Sequence, residues 1–122
     1  MRYSAALMDT ARLQLEQVPG SQNGELITRL NGKLALETVS SFIQSMRQEP
    51  AAHLVLDMSG VSFMDSSGVG ALVSLYVSRK HAGKTIALAR LTPQGNAVLQ
   101  VSGLLKLIPS FPTVEEAISM RW

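Results

Sequence analysis

Residues 53–77 constrain the fold of this chain more than any other segment. The run Leu-Val-Leu-Asp-Met at residues 54–58 is almost continuously apolar, which is typical of a strand buried on both faces of a parallel sheet. Apolar residues at helical spacing follow from Val69 to Val77, and they predict the most clearly patterned helix of the chain. We therefore expect a strand at residues 53–58 in a sheet that carries helices on both faces.

The remaining patterns predict elements that fit the same sheet. Residues 12–16 and 25–31 alternate apolar and polar side chains, and the turn-rich residues 19–24 between them predict an antiparallel hairpin. Strands and helices then alternate, which implies mainly parallel pairing with right-handed crossovers. The expected fold is α/β, with a mixed, mainly parallel sheet in the order ββαβαβαβα. The other expected elements are a helix over residues 39–46, a strand over residues 84–91, a short helix with Ala97, Val98 and Val101, a short strand begun by Leu107 and Ile108, and a final helix opened by a capping box at residues 113–116.

Length and composition limit the classes of function. A chain of 122 residues fits one domain, which we place at residues 11–122 after a flexible leader at residues 1–10. The absence of cysteine excludes disulfides and thiol catalysis and suits a reducing cytoplasm. A net charge of +2 without charged blocks gives little support to nucleic-acid binding. No apolar run approaches the roughly 18–20 residues of a membrane span, and the N-terminus is a poor signal peptide.

The segment Asp65-Ser66-Ser67-Gly68 joins the buried strand to the best helix. A helix start has unpaired backbone N–H groups and a partial positive charge, so it tolerates an added phosphate. A serine there can change its charge by nearly two units without loss of the fold. Asp and Ser are also ordinary helix N-caps worth about 1 kcal/mol, and this simpler role fits the same four residues. From the residues alone, the segment is an exposed serine turn that can serve as a cap or as a switch.

Catalytic and metal-binding alternatives find less support. The Gly-x-Ser-x-Gly pattern of a nucleophile elbow is incomplete around Ser66, and neither His53 nor His81 is expected to reach it as a base. The glycine-rich patterns of phosphate-binding loops are missing. Two distant histidines and no cysteine make no metal-ligand set. We expect neither an enzyme nor a cofactor, and we expect Asp57 to serve as a hydrogen-bonding residue at a strand end or turn.

The sequence Phe63-Met-Asp-Ser-Ser-Gly-Val-Gly70 resembles the signature of bacterial anti-sigma factor antagonists, the single-domain STAS proteins. The similarity extends from about Ala11 to Ile118. It includes the strand before the signature, the segment Val101-Ser-Gly-Leu104 and the closing helix that follows Thr113. The resemblance implies a single STAS domain.

The resemblance also implies a function. In that family the serine directly after the aspartate is phosphorylated, which is Ser66 here. The unphosphorylated antagonist binds an anti-sigma factor, often a serine-protein kinase, and frees a sigma factor; phosphorylation ends the interaction, and a PP2C-type phosphatase restores it. A STAS docking subunit of a lipid-transport complex or a stress-signalling scaffold, without a phosphoswitch, is the alternative. The partner-binding residues implied are Met64, Asp65, Ser66, Ser67, Gly68, Val69, Lys33 and Ala35.

Lys33 and Ala35 enter that set because of a departure from the family pattern. Antagonists commonly carry Gly-x-Leu-Asp in the loop after the second strand, whereas this chain has Gly32-Lys33-Leu34-Ala35. In the family fold this loop lies near the switch serine. The missing acid and the added lysine are expected to change partner choice, since charges at the rim of an interface act mostly on specificity and association rate.

Overall fold

The structure of the chain is a computed structural model that describes residues 13–120. The leader expected at residues 1–10 lies outside the described residues. Within them, five strands form one sheet in the spatial order β1-β2-β3-β4-β5, with β1 antiparallel to β2 and all other pairs parallel. The order ββαβαβαβα is confirmed. The elements are β1 (Gln14–Pro19), β2 (Glu25–Leu34), α1 (Val39–Met46), β3 (His53–Met64), α2 (Ser66–His81), β4 (Thr85–Ala89), α3 (Pro93–Ser102), β5 (Ser110–Phe111) and α4 (Val114–Ser119).

Helices cover both faces of the sheet, as the apolar run at residues 54–58 predicted. Leu54 and Leu56 of β3 point to one face, where they join the main hydrophobic core with side chains from α1, α2 and α3. Val55 points to the other face, where it packs with Ala117 of α4. Both faces of β3 are therefore dry over this stretch, since these four residues are 0% exposed.

The hairpin of β1 and β2 is confirmed, with shifted bounds. The register runs from Gln14 opposite Asn31 to Pro19 opposite Leu26. β1 therefore extends to Pro19, the first residue of the expected turn, because pairing with β2 holds its exposed outer part in a strand. The turn itself is closed by Glu25, whose backbone O accepts from the N–H of Gly20 at 3.0 Å.

β3 is twice as long as expected and ends at Met64 instead of Met58. The serines and glycine of residues 59–62 are typical of turns, but here they remain in the strand through pairing with β2. Gly60 allows this pairing, because a Cβ at that position would lie 2.5 Å from the carbonyl oxygen of Leu30. β4 pairs with β3 only as far as Asp57 opposite Ala89. The last part of β3 and the end of β2 thus form a two-stranded ribbon beyond the sheet.

Asp57 is a hydrogen-bonding residue, as we expected, but it does not lie at a strand end or in a turn. It lies inside β3 with its side chain 0% exposed. Its Oδ2 accepts a hydrogen bond from Arg29 Nε at 3.1 Å, and its Oδ1 accepts from the N–H of Ser59 at 3.1 Å and forms an ion pair with Arg90 Nε at 3.3 Å. Desolvation acts to raise the pKa of Asp57, but the Ser59 N–H, Arg29 and Arg90 outweigh it and hold that pKa below its ordinary value. The carboxylate therefore joins β2, β3 and the residue after β4. Arg90 has a φ of 58°, in the left-handed region.

The last strand also lies later than expected. Leu104–Lys106 forms a 3₁₀ turn, and β5 is Ser110–Phe111. The apolar pair Leu107 and Ile108 resembled a strand, but Ile108 closes the turn through its N–H to Leu104 O at 3.1 Å and is 0% exposed. Burial in the core, and not strand pairing, explains its apolar side chain.

Candidate functional site

Asp65 organises the junction between β3 and α2. It is the N-cap of α2, and its Oδ1 accepts a hydrogen bond from the N–H of Gly68 at 3.0 Å. Its Oδ2 accepts from the N–H of Leu36, in the loop after β2, at 3.2 Å. Desolvation acts to raise the pKa of Asp65, but these two donors and the Ser67 N–H outweigh it and hold that pKa below its ordinary value. The carboxylate is therefore ionised at neutral pH.

Ser66 is the first residue of α2, a helix of 16 residues, and it is exposed to solvent. The next serine, Ser67, is half-buried. An added negative charge on Ser66 would lie in the first helical turn, where the partial positive charge of the helix stabilises anions. Of the two serines in the signature, Ser66 is thus the more accessible to a modifying enzyme.

Gly68 is required by the close approach of α2 to the end of β2. It is buried, and a Cβ there would overlap the carbonyl oxygen of Leu34 and come within 2.9 Å of Met64 Cγ. Because the obstructing oxygen belongs to the backbone, it cannot move aside as a flexible side chain would. Gly68 therefore allows the first turn of α2, which carries the serines, to pack directly against the backbone at the end of β2.

The side chain of Gln94, which was not predicted to take part in the site, forms two hydrogen bonds with the backbone of Met64. The Met64 backbone N–H donates to Gln94 Oε1 at 3.0 Å, and the Met64 backbone O accepts from Gln94 Nε2 at 2.8 Å. Gln94 belongs to the first turn of α3, which Thr92 caps through its Oγ1 and the N–H of Gly95 at 3.0 Å. In the sequence, Gln94 follows a Thr-Pro helix start and is indistinguishable from any polar residue of a first turn.

A groove of about 470 Å³ opens beside Ser66, between the start of α2 and α3. Its walls are mainly apolar. Val101 was expected on the apolar face of the short helix, but it is 90% exposed, because Leu99 is the residue that α3 buries in the core. The groove is lined by Asp65, Ser66, Val69, Ala97, Val98, Val101 and Ser102.

The segment Gly32-Lys33-Leu34-Ala35 lies beside the site, but it is not the loop that we expected. β2 extends through Leu34, which pairs with Met64, and Lys33 pairs with Phe63. The Lys33 Nζ lies 3.4 Å from Glu37 Oε2. Ala35 is only 2% exposed, and its N–H donates to Thr38 Oγ1 at 3.1 Å. The segment is therefore linked to Asp65 by the residue that follows it, Leu36, whose backbone N–H donates to the Asp65 carboxylate.

The predicted partner-binding residues divide into two groups in the structure. Met64, Gly68 and Ala35 are buried, so these residues present no surface to a partner. The other five, Lys33, Asp65, Ser66, Ser67 and Val69, are exposed or half-buried. Leu36, 73% exposed and not predicted, lies next to Asp65. In the sequence, Leu36 directly follows Leu34 and Ala35, which are both buried, so nothing in the pattern marked it as the exposed member of this apolar run.

Among residues 13–120, no cluster of three or more histidine, cysteine or acidic side chains is arranged to hold a metal ion. The ring of His53 lies between Thr85 Oγ1 at 2.8 Å and Ala117 O at 3.0 Å. His53 and Met64 are the two ends of β3, which places that imidazole roughly 36 Å from the serine end of the strand. In the same part of the chain, no helix is both long and apolar enough to cross a membrane.

Comparison with known families identifies this architecture. The family model described as the STAS domain matches residues 12–117. The chain belongs to the STAS domain family. The match includes the capped serine turn, the groove beside it and α1 to α3 in full. The fold and family that the signature predicted are therefore confirmed.

Two relatives of this STAS domain are antagonists of anti-sigma factors. The anti-sigma F factor antagonist of Paenibacillus polymyxa is 29% identical over 100 residues, covering 79% of this chain and 86% of that relative. The structure of the anti-sigma factor antagonist SpoIIAA in its unphosphorylated form is similar with a TM-score of 0.69 and 27% identity, covering 87% of this chain and 92% of that one.

A third relative belongs to a different class of protein. The structure of a sulfate transporter family protein from Wolinella succinogenes superimposes with a TM-score of 0.71 and covers 84% of this chain and 86% of that one. Its sequence is 19% identical, so the likeness establishes a shared fold alone.

Proposed function

We propose that this STAS domain is an anti-sigma factor antagonist. It binds an anti-sigma factor of the serine-protein kinase type, frees a sigma factor, and loses its partner when Ser66 is phosphorylated. The observation that carries the proposal is the exposed Ser66 at the start of α2, on the rim of an apolar groove. The antagonists among its relatives support the same role. The domain then acts as a binding protein and not as an enzyme.

The proposed partner surface combines the groove with the loop after β2. Val101 and Leu36 are 90% and 73% exposed, which are high values for apolar side chains. Val101 lines the groove together with Ser66, and Leu36 is held against Asp65. Removing such apolar side chains from water on binding favours association. Met64 and Gly68, which are buried, contribute to this surface by holding the backbone that carries its exposed side chains.

Phosphorylation would change this surface through charge. A phosphoserine adds about −1.5 to −2 units at neutral pH. The start of α2 tolerates that charge, so the fold is retained. At the interface, the phosphate would lie beside the ionised Asp65 and next to apolar groove walls, where a bound partner would have to desolvate it. Partner affinity falls while the stability of the domain is unchanged.

The reverse step requires a phosphatase, for which we propose the PP2C type. The SpoIIAA structure is that of an unphosphorylated form, which supports phosphorylation as a second state of that antagonist. The proposed partners regulate a sigma factor, which acts in transcription. We therefore propose that the protein works in the cytoplasm. Neither nucleic acid nor a membrane is required for the proposed exchange of partners.

The test is phosphorylation in vitro by each anti-sigma factor kinase of the source cell, with the modified residue mapped by mass spectrometry. We expect phosphate on Ser66, normal labelling of Ser67→Ala and no labelling of Ser66→Ala. Ser66→Ala should bind the kinase, whereas Ser66→Asp should bind at least tenfold more weakly with an unchanged melting temperature. Labelling confined to Ser67, or tight binding by Ser66→Asp, contradicts the proposal.

The docking-subunit alternative rests on Ala35, which stands where antagonists commonly have an acid, and on the fold shared with a transporter family protein. It predicts stable binding to a transporter or scaffold subunit that is the same for wild type and Ser66→Asp. The binding experiment with this pair of proteins therefore separates the two functions.

A further inference from the structure

The side chain of Gln94 imitates a strand partner. A single amide uses its acceptor and one donor on the two backbone polar groups of one residue, Met64, at 3.0 and 2.8 Å. Backbone groups exchange hydrogen bonds in the same way between neighbouring strands. In the described residues, β4 does not accompany β3 beyond Asp57, so a side chain supplies what a strand would supply.

This pairing matters because Met64 is 1% exposed. A buried backbone N–H or C=O without a partner costs about 1–3 kcal/mol. Met64 is also only two residues before Ser66, so a displacement of its backbone moves the start of α2. The two hydrogen bonds therefore hold the strand end from which the serine-bearing helix begins.

Gln94 also fixes the start of α3 against the same point. The next residue, Gly95, is buried, and a Cβ there would lie 3.7 Å from Met64 Cε. The amide thus joins the two elements that form the groove: Ser66 and Val69 follow Met64 on one wall, and Val98 and Val101 follow Gln94 on the other.

We propose that Gln94 is a positioning residue that sets the spacing of the two groove walls, and through it the affinity for the anti-sigma factor. The second half of this inference rests on the function proposed above, whereas the first half is a property of the free domain. Gln94 itself is not among the groove-lining residues, so its effect on a partner is indirect.

The experiment compares three substitutions of Gln94 with a matched control on the same helix. Gln94→Met keeps the length of the side chain and removes both hydrogen bonds, Gln94→Glu keeps the acceptor for the Met64 N–H, and Gln94→Asn is too short to make both. Gln100→Met is the control, because Gln100 is exposed on α3 and does not line the groove.

In the free domain, backbone amide chemical shifts measured by NMR report on the groove. With Gln94→Met we expect shift changes that extend to Val69 on α2 and to Val101 on α3. With Gln100→Met we expect changes at its neighbours on α3, Val101 included, and none at Val69. Changes confined to residues 63–65 and 92–95 would show that Gln94 is only a local structural residue, and the inference would be wrong.

Binding to the anti-sigma factor is measured well below the melting temperature of each variant, with the folded fraction checked by circular dichroism. We expect at least a tenfold loss of affinity for Gln94→Met and Gln94→Asn, a loss also for Gln94→Glu, because its second carboxylate oxygen would face the Met64 carbonyl oxygen without a donor, and no change for Gln100→Met. Wild-type affinity in folded Gln94→Met overturns the proposed link to affinity. If no anti-sigma factor binds even the wild type, the proposed function fails, and the NMR comparison still decides the role of Gln94.

Discussion

The backbone N–H of Leu36 donates a hydrogen bond to Oδ2 of Asp65 at 3.2 Å, across 29 positions of sequence. The same carboxylate caps α2 through its other oxygen, which accepts from the N–H of Gly68. One side chain therefore holds the helix that begins with Ser66 and the loop that carries an exposed leucine. Changes at this carboxylate act on both parts of the proposed partner surface.

Asp65→Ala should destabilise the domain more than the loss of a simple helix cap. An N-cap substitution by alanine typically costs about 0.5–2 kcal/mol. Asp65→Ala also leaves the N–H of Leu36 without its acceptor. Thr92→Ala is the control, because Thr92 caps α3 through a single local hydrogen bond to the N–H of Gly95. Urea unfolding of the two variants measures the difference, and equal losses would show that the Leu36 bond contributes nothing to stability.

Two glycines of α2 should respond in opposite directions to alanine. Gly68→Ala forces a Cβ against the Leu34 carbonyl oxygen, which we expect to cost about 1–3 kcal/mol, as other overpacking substitutions do. Gly70→Ala meets nothing within 4 Å and should stabilise the domain by about 0.5–1 kcal/mol through helix propensity. Melting temperatures of both variants test the pair. A neutral Gly68→Ala would mean that α2 can move away from β2 at no cost.

Val101→Glu should weaken binding of the anti-sigma factor by at least tenfold, or about 1.4 kcal/mol, because it places a charge in the apolar groove. The melting temperature should hold, since Val101 is 90% exposed and glutamate is a good helix former. Val77→Glu is the control: Val77 is 45% exposed on α2, about 16 Å along the helix from Ser66. Equal losses for the two variants would remove the groove from the interface.

Asp57→Asn should lower the stability of the domain at neutral pH and matter less in acid. The pKa of Asp57 is lower in the folded protein than in the unfolded chain. The carboxylate therefore contributes stability that is fully present above its unfolded pKa of about 3.9 and is lost as the pH falls through its folded pKa. Loss of hydrogen bonds to the charged group should cost about 1.5–3 kcal/mol at pH 7.

The measurement for Asp57 is the free energy of unfolding in urea from pH 7 down to pH 3. The curves for wild type and Asp57→Asn should converge as the pH falls below about 4, the region where the carboxylate begins to take up its proton. A difference that stays constant over this range would show that the ion pairs with Arg29 and Arg90 do not account for the stability contributed by Asp57.

The sequence predicted the features that repeat along the chain. Alternation in the first two strands and the apolar run at residues 54–58 reflect burial on the sheet, and the structure confirms both. The helix predicted from Val69 to Val77 is also confirmed, but the apolar residues that it buries are Ala71, Leu72 and Leu75, and Val77 is 45% exposed. The signature around Ser66 was found in the same way, because a strand that leads directly into a helix leaves a polar cap between two apolar patterns.

Features that depend on a single contact between distant residues were not predicted. Asp57 resembled a strand end until the structure showed Arg29 and Arg90 on either side of it. Gln94 has no local signal, since its two bonds are made to a residue 30 positions earlier. The extension of β3 to Met64 was hidden by serine and glycine residues that pairing with β2 keeps in the strand.

β3 has 12 residues and β4 has 5. On the β4 side, the end of β3 that leads to Ser66 is held by side chains: Arg90 Nη2 donates to Ser59 Oγ at 2.6 Å, and Gln94 holds Met64. Side chains change by single substitutions, whereas a strand partner does not. The position of the strand end from which α2 begins can therefore evolve through substitutions at positions 90 and 94 while the order of the sheet remains constant.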